Sequence, residues 1–173
     1  MTSDDPEFDP TILSHLRQEG FDAQYLAYGG DPKAYKHELT SSAETLELGE
    51  YFAIIAYGDA AAACLDICIK PMPHLAALIA YYPSRIPSPK SKFPPHLDLV
   101  VHLAAKQGFA PAFNNFAYQD VDPGFAEHDL DEFDKVSANL AWTRTLGALR
   151  KGFKVEVNLE QIWENHLACV AFS

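Results

Sequence analysis

Cationic side chains are scarce in this sequence: 13 lysines and arginines face 24 aspartates and glutamates, a formal net charge of −11. Such a surface repels a phosphate backbone on average, so nucleic acid is excluded as an expected partner. No apolar run reaches the roughly 18 residues that a membrane helix needs. The opening Met1-Thr2-Ser3-Asp4-Asp5-Pro6 is acidic and polar, unlike the basic and apolar start of a targeting peptide. We therefore expect no membrane partner and a cytoplasmic location. Cysteine is equally sparse, with Cys64, Cys68 and Cys169 alone, an odd number that sets no disulfide framework. Cys64 and Cys68 would share one face of a helix. No histidine pair at ligand spacing accompanies them, so they are read as small packing residues and not as a zinc site. Gly29-Gly30 lacks the remainder of a phosphate-binding motif. Neither a metal nor a cofactor is expected.

What the sequence does contain is apolar: 48% of its 173 residues, enough for one globular domain with a sizeable core. Thr11–Glu19 reads as a helix stopped by Gly20, and residues 21–26 alternate as a strand would. A Gly29-Gly30-Asp31-Pro32 turn leads into a helix over 33–46. Residues 51–56, 75–81 and 97–103 are continuous apolar runs suited to strands buried on both faces, and 113–118 is a weaker strand. A small-residue helix spans 60–69. The segment 83–95 carries five prolines and must be a loop inside the domain. Phe133, Val136, Leu140 and the apolar residues of 142–149 give a long amphipathic helix ending near Gly152. Strands alternating with helices predict an α/β three-layer sandwich with a mostly parallel sheet. The domain is expected over 1–155. A C-terminal helix over 156–173 is started by Asn158 with Gln161 as its capping partner, and shows Leu159, Ile162, Trp163 and Leu167 on one face.

Function in such a fold belongs at the carboxyl ends of the strands. There the sequence Ile54-Ile55-Ala56-Tyr57-Gly58-Asp59-Ala60 runs from a buried strand through small residues straight into a helix. Ala56 and Ala60 flank position 58 as the small residues of a nucleophile elbow do, and glycine itself occupies the nucleophile's place. The bland alternative is an ordinary strand-to-helix turn. Three further stretches follow in order: His102 to Pro111, Pro123-Gly124-Phe125-Ala126, and Leu140-Ala141-Trp142-Thr143-Arg144-Thr145-Leu146.

Together these resemble the dienelactone hydrolase (carboxymethylenebutenolidase) family over about residues 10–152. The resemblance implies a truncated α/β-hydrolase-like sheet in which the catalytic cysteine, aspartate and histidine positions hold Gly58, Gln107 and Pro123. No catalytic residue of the family mechanism then remains. The resemblance further implies that the chain starts after the family's early strand and the loop that supplies half of the oxyanion hole. It extends to triad-less fungal proteins that join such a domain to a downstream SnoaL/NTF2-like domain through a helix like 159–167.

Other side chains can carry chemistry. Asp59 at the helix start is read first as its cap, and second as an acid or base. His128, in an acidic turn, is read first as solvated and second as reaching the pocket near neutral pH. His102 is read as a satisfied core histidine. Tyr57, Tyr82 and Tyr118 can line a cavity and donate hydrogen bonds, or simply pack. The expected function is a pseudo-hydrolase that binds a small hydrophobic metabolite, with isomerase or cyclase chemistry in fungal secondary metabolism as its enzymatic form. One alternative is a non-catalytic module that dimerises or docks a partner through the C-terminal helix. The other is an ester or lactone hydrolase with displaced groups at Asp59 or His128. A cavity of about 300–1,000 Å³ at the strand ends would favour ligand binding.

Overall fold

Three runs of small and branched apolar residues form the middle of the molecule, because such runs satisfy strands covered on both faces. In the computed structural model, which describes residues 1–154, they are β1 (Phe52–Tyr57), β2 (Leu75–Tyr81) and β3 (Asp98–Ala104), with β4 (Asn115–Tyr118) at the edge. The four lie side by side in chain order, every pair parallel. The helices are α1 (Pro10–Gln18), α2 (Pro32–Glu44), α3 (Gly58–Ile67) and α4 (Lys135–Gly152). Alternate strand residues face opposite ways. Ile54, Ala56, Leu78 and Ala80 meet α2 and α3, whereas Ile55, Tyr57, Ile79 and Tyr81 meet α1 and α4. The fold is the expected three-layer α/β sandwich. No helix among the described residues is long and apolar enough to cross a membrane. The predicted helix over 156–173, with Leu159, Ile162, Trp163 and Leu167, lies outside the described residues, as does Cys169.

The free side of β1 departs from expectation. Thr2 pairs there in parallel with Ala56, its N–H donating to Ile55 O at 2.9 Å and its carbonyl accepting from Tyr57 N at 3.1 Å. Farther out, Leu26 N and Tyr28 N donate to the carbonyls of Met1 and Ser3 at 2.9 and 3.0 Å. No regular strand forms over 21–26; the extended stretch that pairs is 24–28, and its three-residue partner is too short to build a longer ladder. Residues 1–3 lie along the free side of β1, and Asp4–Asp9 loops from them to α1. The spatial order thus runs 24–28, 1–3, β1, β2, β3, β4. From 1–3 the chain steps outward to 24–28 and then crosses back to β1, so the order of connection switches between 1–3 and β1, and such a switch point opens a crevice at the strand carboxyl ends.

The helix starts follow local chemistry. Asp9 and Asp31 cap α1 and α2, each followed by a proline whose missing N–H costs nothing at that position. Helix α4 begins two residues later than Phe133, and Val136 and Leu140 are exposed instead of buried. Its inward face is Ala138, Ala141, Thr145, Ala148 and Leu149. Small residues let it approach the sheet closely, most of all at Gly152, where a Cβ would stand 3.0 Å from Ala77 Cβ and 3.2 Å from Ala76 O. Cys64 on α3 and Cys68 at its C-terminal cap are buried, as expected of packing residues, and burial pushes the Cys64 thiol up to about 12.

Candidate functional site

The corner at position 58 has the geometry of an elbow. Tyr57 is extended, with φ −125° and ψ 145°. Gly58 then turns to φ +58°, a left-handed conformation that glycine adopts without the Cβ penalty. Helix α3 begins at once. An elbow nucleophile needs the same strained turn and uses the next residue's N–H to hold an oxyanion.

That anion position is filled from within the chain. The Asp4 carboxylate accepts from Asp59 N through Oδ2 and from Ala60 N through Oδ1, both at 2.9 Å. A Cβ built on Gly58 would lie 2.7 Å from Asp4 Oδ2. The carboxylate therefore stands both in the anion seat and where a nucleophile's side chain would start. Burial raises its pKa, the two N–H donors oppose that shift, and the charge of Asp59 adds to it. Asp59 does not cap α3 as expected. It is exposed, and no side chain of α3's own N-cap residue closes the end. Asp4 arrives from the neighbouring strand position and does so instead.

Gln107 spends both ends of its amide on backbone, accepting from Ala104 N at 3.1 Å and donating to Pro83 O at 3.0 Å. Pro123 is exposed. His102 is fully buried between Tyr118 Oη at 2.9 Å and Thr145 Oγ1 at 3.0 Å, and Thr145 also bonds Tyr81 Oη at 2.7 Å. Burial, with the Arg144 charge nearby, lowers its pKa to about 3, so it is a neutral core residue. Tyr118 belongs to this chain of bonds. Tyr82, buried after β2 with φ +33°, donates to Glu127 Oε1. Burial pushes Glu127 up to about 7.

A cavity of about 220 Å³ does open at the carboxyl ends of β1 and β2, not beside Gly58 but under α1 and α4. Tyr57 and Tyr81 form its floor, His15 of α1 and Trp142 of α4 its walls, and His128 one end. Tyr82 and Tyr118 are not among its lining residues. His128 is exposed, as the first reading has it, and it also lines the cavity, where Asp9 holds it. Its Nδ1 and its backbone N–H both donate to Asp9 Oδ2, at 2.8 and 2.9 Å. The Asp9 side chain is 1% exposed and that of His128 35%. Burial would raise Asp9, but the bonds from His128 and Thr11 outweigh it and the pKa is lowered. An ionised Asp9 accepts only, so His128 carries a proton on Nδ1, while Nε2 makes no hydrogen bond among the described residues. The rings of His15 and His128 meet edge to face at 5.9 Å.

Tyr57 is 3% exposed. Its hydroxyl has no hydrogen-bond partner among the described residues, and burial followed by the charges of Tyr81, Glu127 and Asp9 holds its proton firmly. It is not a fully enclosed orphan, so it keeps access to the cavity that it lines.

Asp4, Asp9, His15, Glu127 and Trp142 were not singled out as site residues by sequence. Asp9-Pro10 before a helical pattern is a legible cap, but nothing local ties it to a residue 119 positions away. Among the described residues no cluster of histidine, cysteine, aspartate and glutamate is placed to hold a metal. In comparisons with known proteins, no family model matches the chain and no curated protein matches it.

Proposed function

We propose that this chain is a dienelactone-hydrolase-like pseudo-hydrolase that binds a small, mostly apolar molecule and does not perform acyl transfer. The observation that carries the reading is the cavity itself, 220 Å³ at the strand carboxyl ends, with aromatic walls and a His128–Asp9 pair at one end. Its volume falls short of the roughly 300–1,000 Å³ expected of a drug-sized site, so the reading holds for a smaller ligand. Against hydrolysis stand Gly58, without an atom to attack, and the Asp4 carboxylate, which occupies the donors an oxyanion would need.

The test uses phenylacetone as a small apolar probe and p-nitrophenyl acetate as an activated ester. Phenylacetone should quench Trp142 fluorescence and shift the His128 ring signals, with W142F assigning the fluorescence to that residue. The ester should turn over no faster than in buffer. Ester turnover that disappears in H128A would instead support the displaced-hydrolase reading. A docking module is the other reading, favoured by exposed Val136 (77%) and Leu140 (45%), one turn apart on α4. It requires self-association or partner capture that V136K/L140K removes.

A further inference from the structure

We propose that the cavity under α1 and α4 transfers a proton at a carbon beside a carbonyl, with His128 as the base and Tyr57 as the donor to the carbonyl oxygen. The inference rests on the ligand-binding reading above and adds a reaction to it.

The argument begins with what the two polar groups have left unspent. His128 is fixed by Asp9 through both its ring and its backbone, so Nδ1–H is engaged and Nε2 is the only basic atom offered. Tyr57 has spent none of its hydroxyl's capacity within the described residues while the rest of its ring is packed, stacking on Tyr81 at 4.7 Å and against Phe8 at 4.6 Å. Its hydroxyl is open to the cavity, so a ligand oxygen can accept its hydrogen bond in place of solvent, at little net gain until charge develops on that oxygen. One group thus takes a proton and the other gives a hydrogen bond, and both line one cavity.

The surroundings narrow the ligand. No lysine or arginine lines the cavity, Glu19 does, and the Asp9 carboxylate, held ionised by His128 and Thr11, acts on Tyr57 as well. An anionic ligand would be repelled, so the oxygen that meets Tyr57 is neutral. A neutral acceptor oxygen on a small apolar skeleton, next to a base, describes an enolisable ketone or aldehyde. The step balances without a further reagent. The α-C–H bond breaks and an Nε2–H bond forms. The electron pair moves into the enolate, whose oxygen accepts from Tyr57. Return of the proton to the same carbon gives exchange, and to a conjugated carbon gives the isomer. Asp9 acts through His128 as a positioning residue, holding the tautomer and the charge that forms on the ring.

The experiment follows α-hydrogen exchange of phenylacetone in deuterated buffer by proton NMR, beside its binding. Wild type should accelerate exchange over buffer. H128Q keeps a donor for Asp9 but no basic nitrogen, and should lose roughly 10²-fold. Y57F should lose about tenfold or more while binding changes little, since it removes a donor that acts on developing charge. Added imidazole should restore exchange to H128A, which a purely structural role for His128 would not allow. Binding without accelerated exchange, or exchange indifferent to H128Q and Y57F, overturns the inference and leaves the binding reading intact. No response of Trp142 or His128 up to about 10 mM probe, a range weaker than ordinary ligand affinities, overturns both.

Discussion

Replacing Gly58 by alanine adds one methyl at a helix start, yet the geometry makes it costly in two separable ways. At φ +58° an L-residue meets its own backbone, worth about 1–2 kcal/mol. The new Cβ would also stand 2.7 Å from Asp4 Oδ2, so the carboxylate must leave, and Asp59 N and Ala60 N lose their acceptor. Loss of such a cap costs roughly 0.5–2 kcal/mol. G58A should therefore be destabilised by about 2–4 kcal/mol, lowering Tm by roughly 5–15 °C for a chain of this length. D4A loses the cap alone, about 1–2 kcal/mol.

The cap can be lost only once. The double variant D4A/G58A should thus be scarcely less stable than G58A, short of additivity by about 1 kcal/mol or more. Urea unfolding followed by circular dichroism measures all four corners of this cycle, provided the m-values agree. Strict additivity within about 0.5 kcal/mol would mean that Asp4 does not depend on the space above Gly58. A neutral G58A would mean that the corner is not left-handed. Either result removes the physical basis for a plugged elbow.

Three further outcomes follow from the buried polar groups. D9A leaves His128 and Thr11 without their acceptor and should cost about 2–4 kcal/mol by urea unfolding, while H128Q should cost less than half of that. Glu127, pushed up to about 7 in the fold, is protonated there over a range where the unfolded chain is ionised. Its contribution to stability is therefore lost as pH rises from about 4.5 to about 7; E127Q should gain on wild type across that interval in thermal melts, and a constant difference would contradict the assignment. T145V strips a partner from both His102 Nε2 and Tyr81 Oη in a closed core, so a loss of about 2–4 kcal/mol is expected where an exposed threonine would show almost none.

Much of the sheet is legible along the chain. The runs 51–56 and 75–81 are continuous and apolar because both faces are covered, and β2 matches its expected residues 75–81 throughout. The corner at Gly58 is legible too, since a buried strand running through small residues into a helix has few other shapes. Residues 21–26 misled because alternation reports which side chains are covered, not whether the backbone finds a long enough partner. Val136 and Leu140 misled because apolar spacing marks a face without saying what lies opposite, and here the alanine face won by approaching the sheet more closely.

The site divides on the same line. Sequence alone shows glycine at the strand-to-helix corner at position 58, because a missing side chain needs no coordinates to be seen. Only tertiary structure decided what stands there instead. Asp4 reaches Asp59 N across 55 residues and Asp9 reaches His128 across 119. Both carboxylates follow residues 1–3, which lie beside β1 through two backbone hydrogen bonds of Thr2, a pairing with almost no side-chain signature. Periodicity records the neighbours a residue has along its own element. The carboxylates at these two helix ends and loops were placed by neighbours from another one.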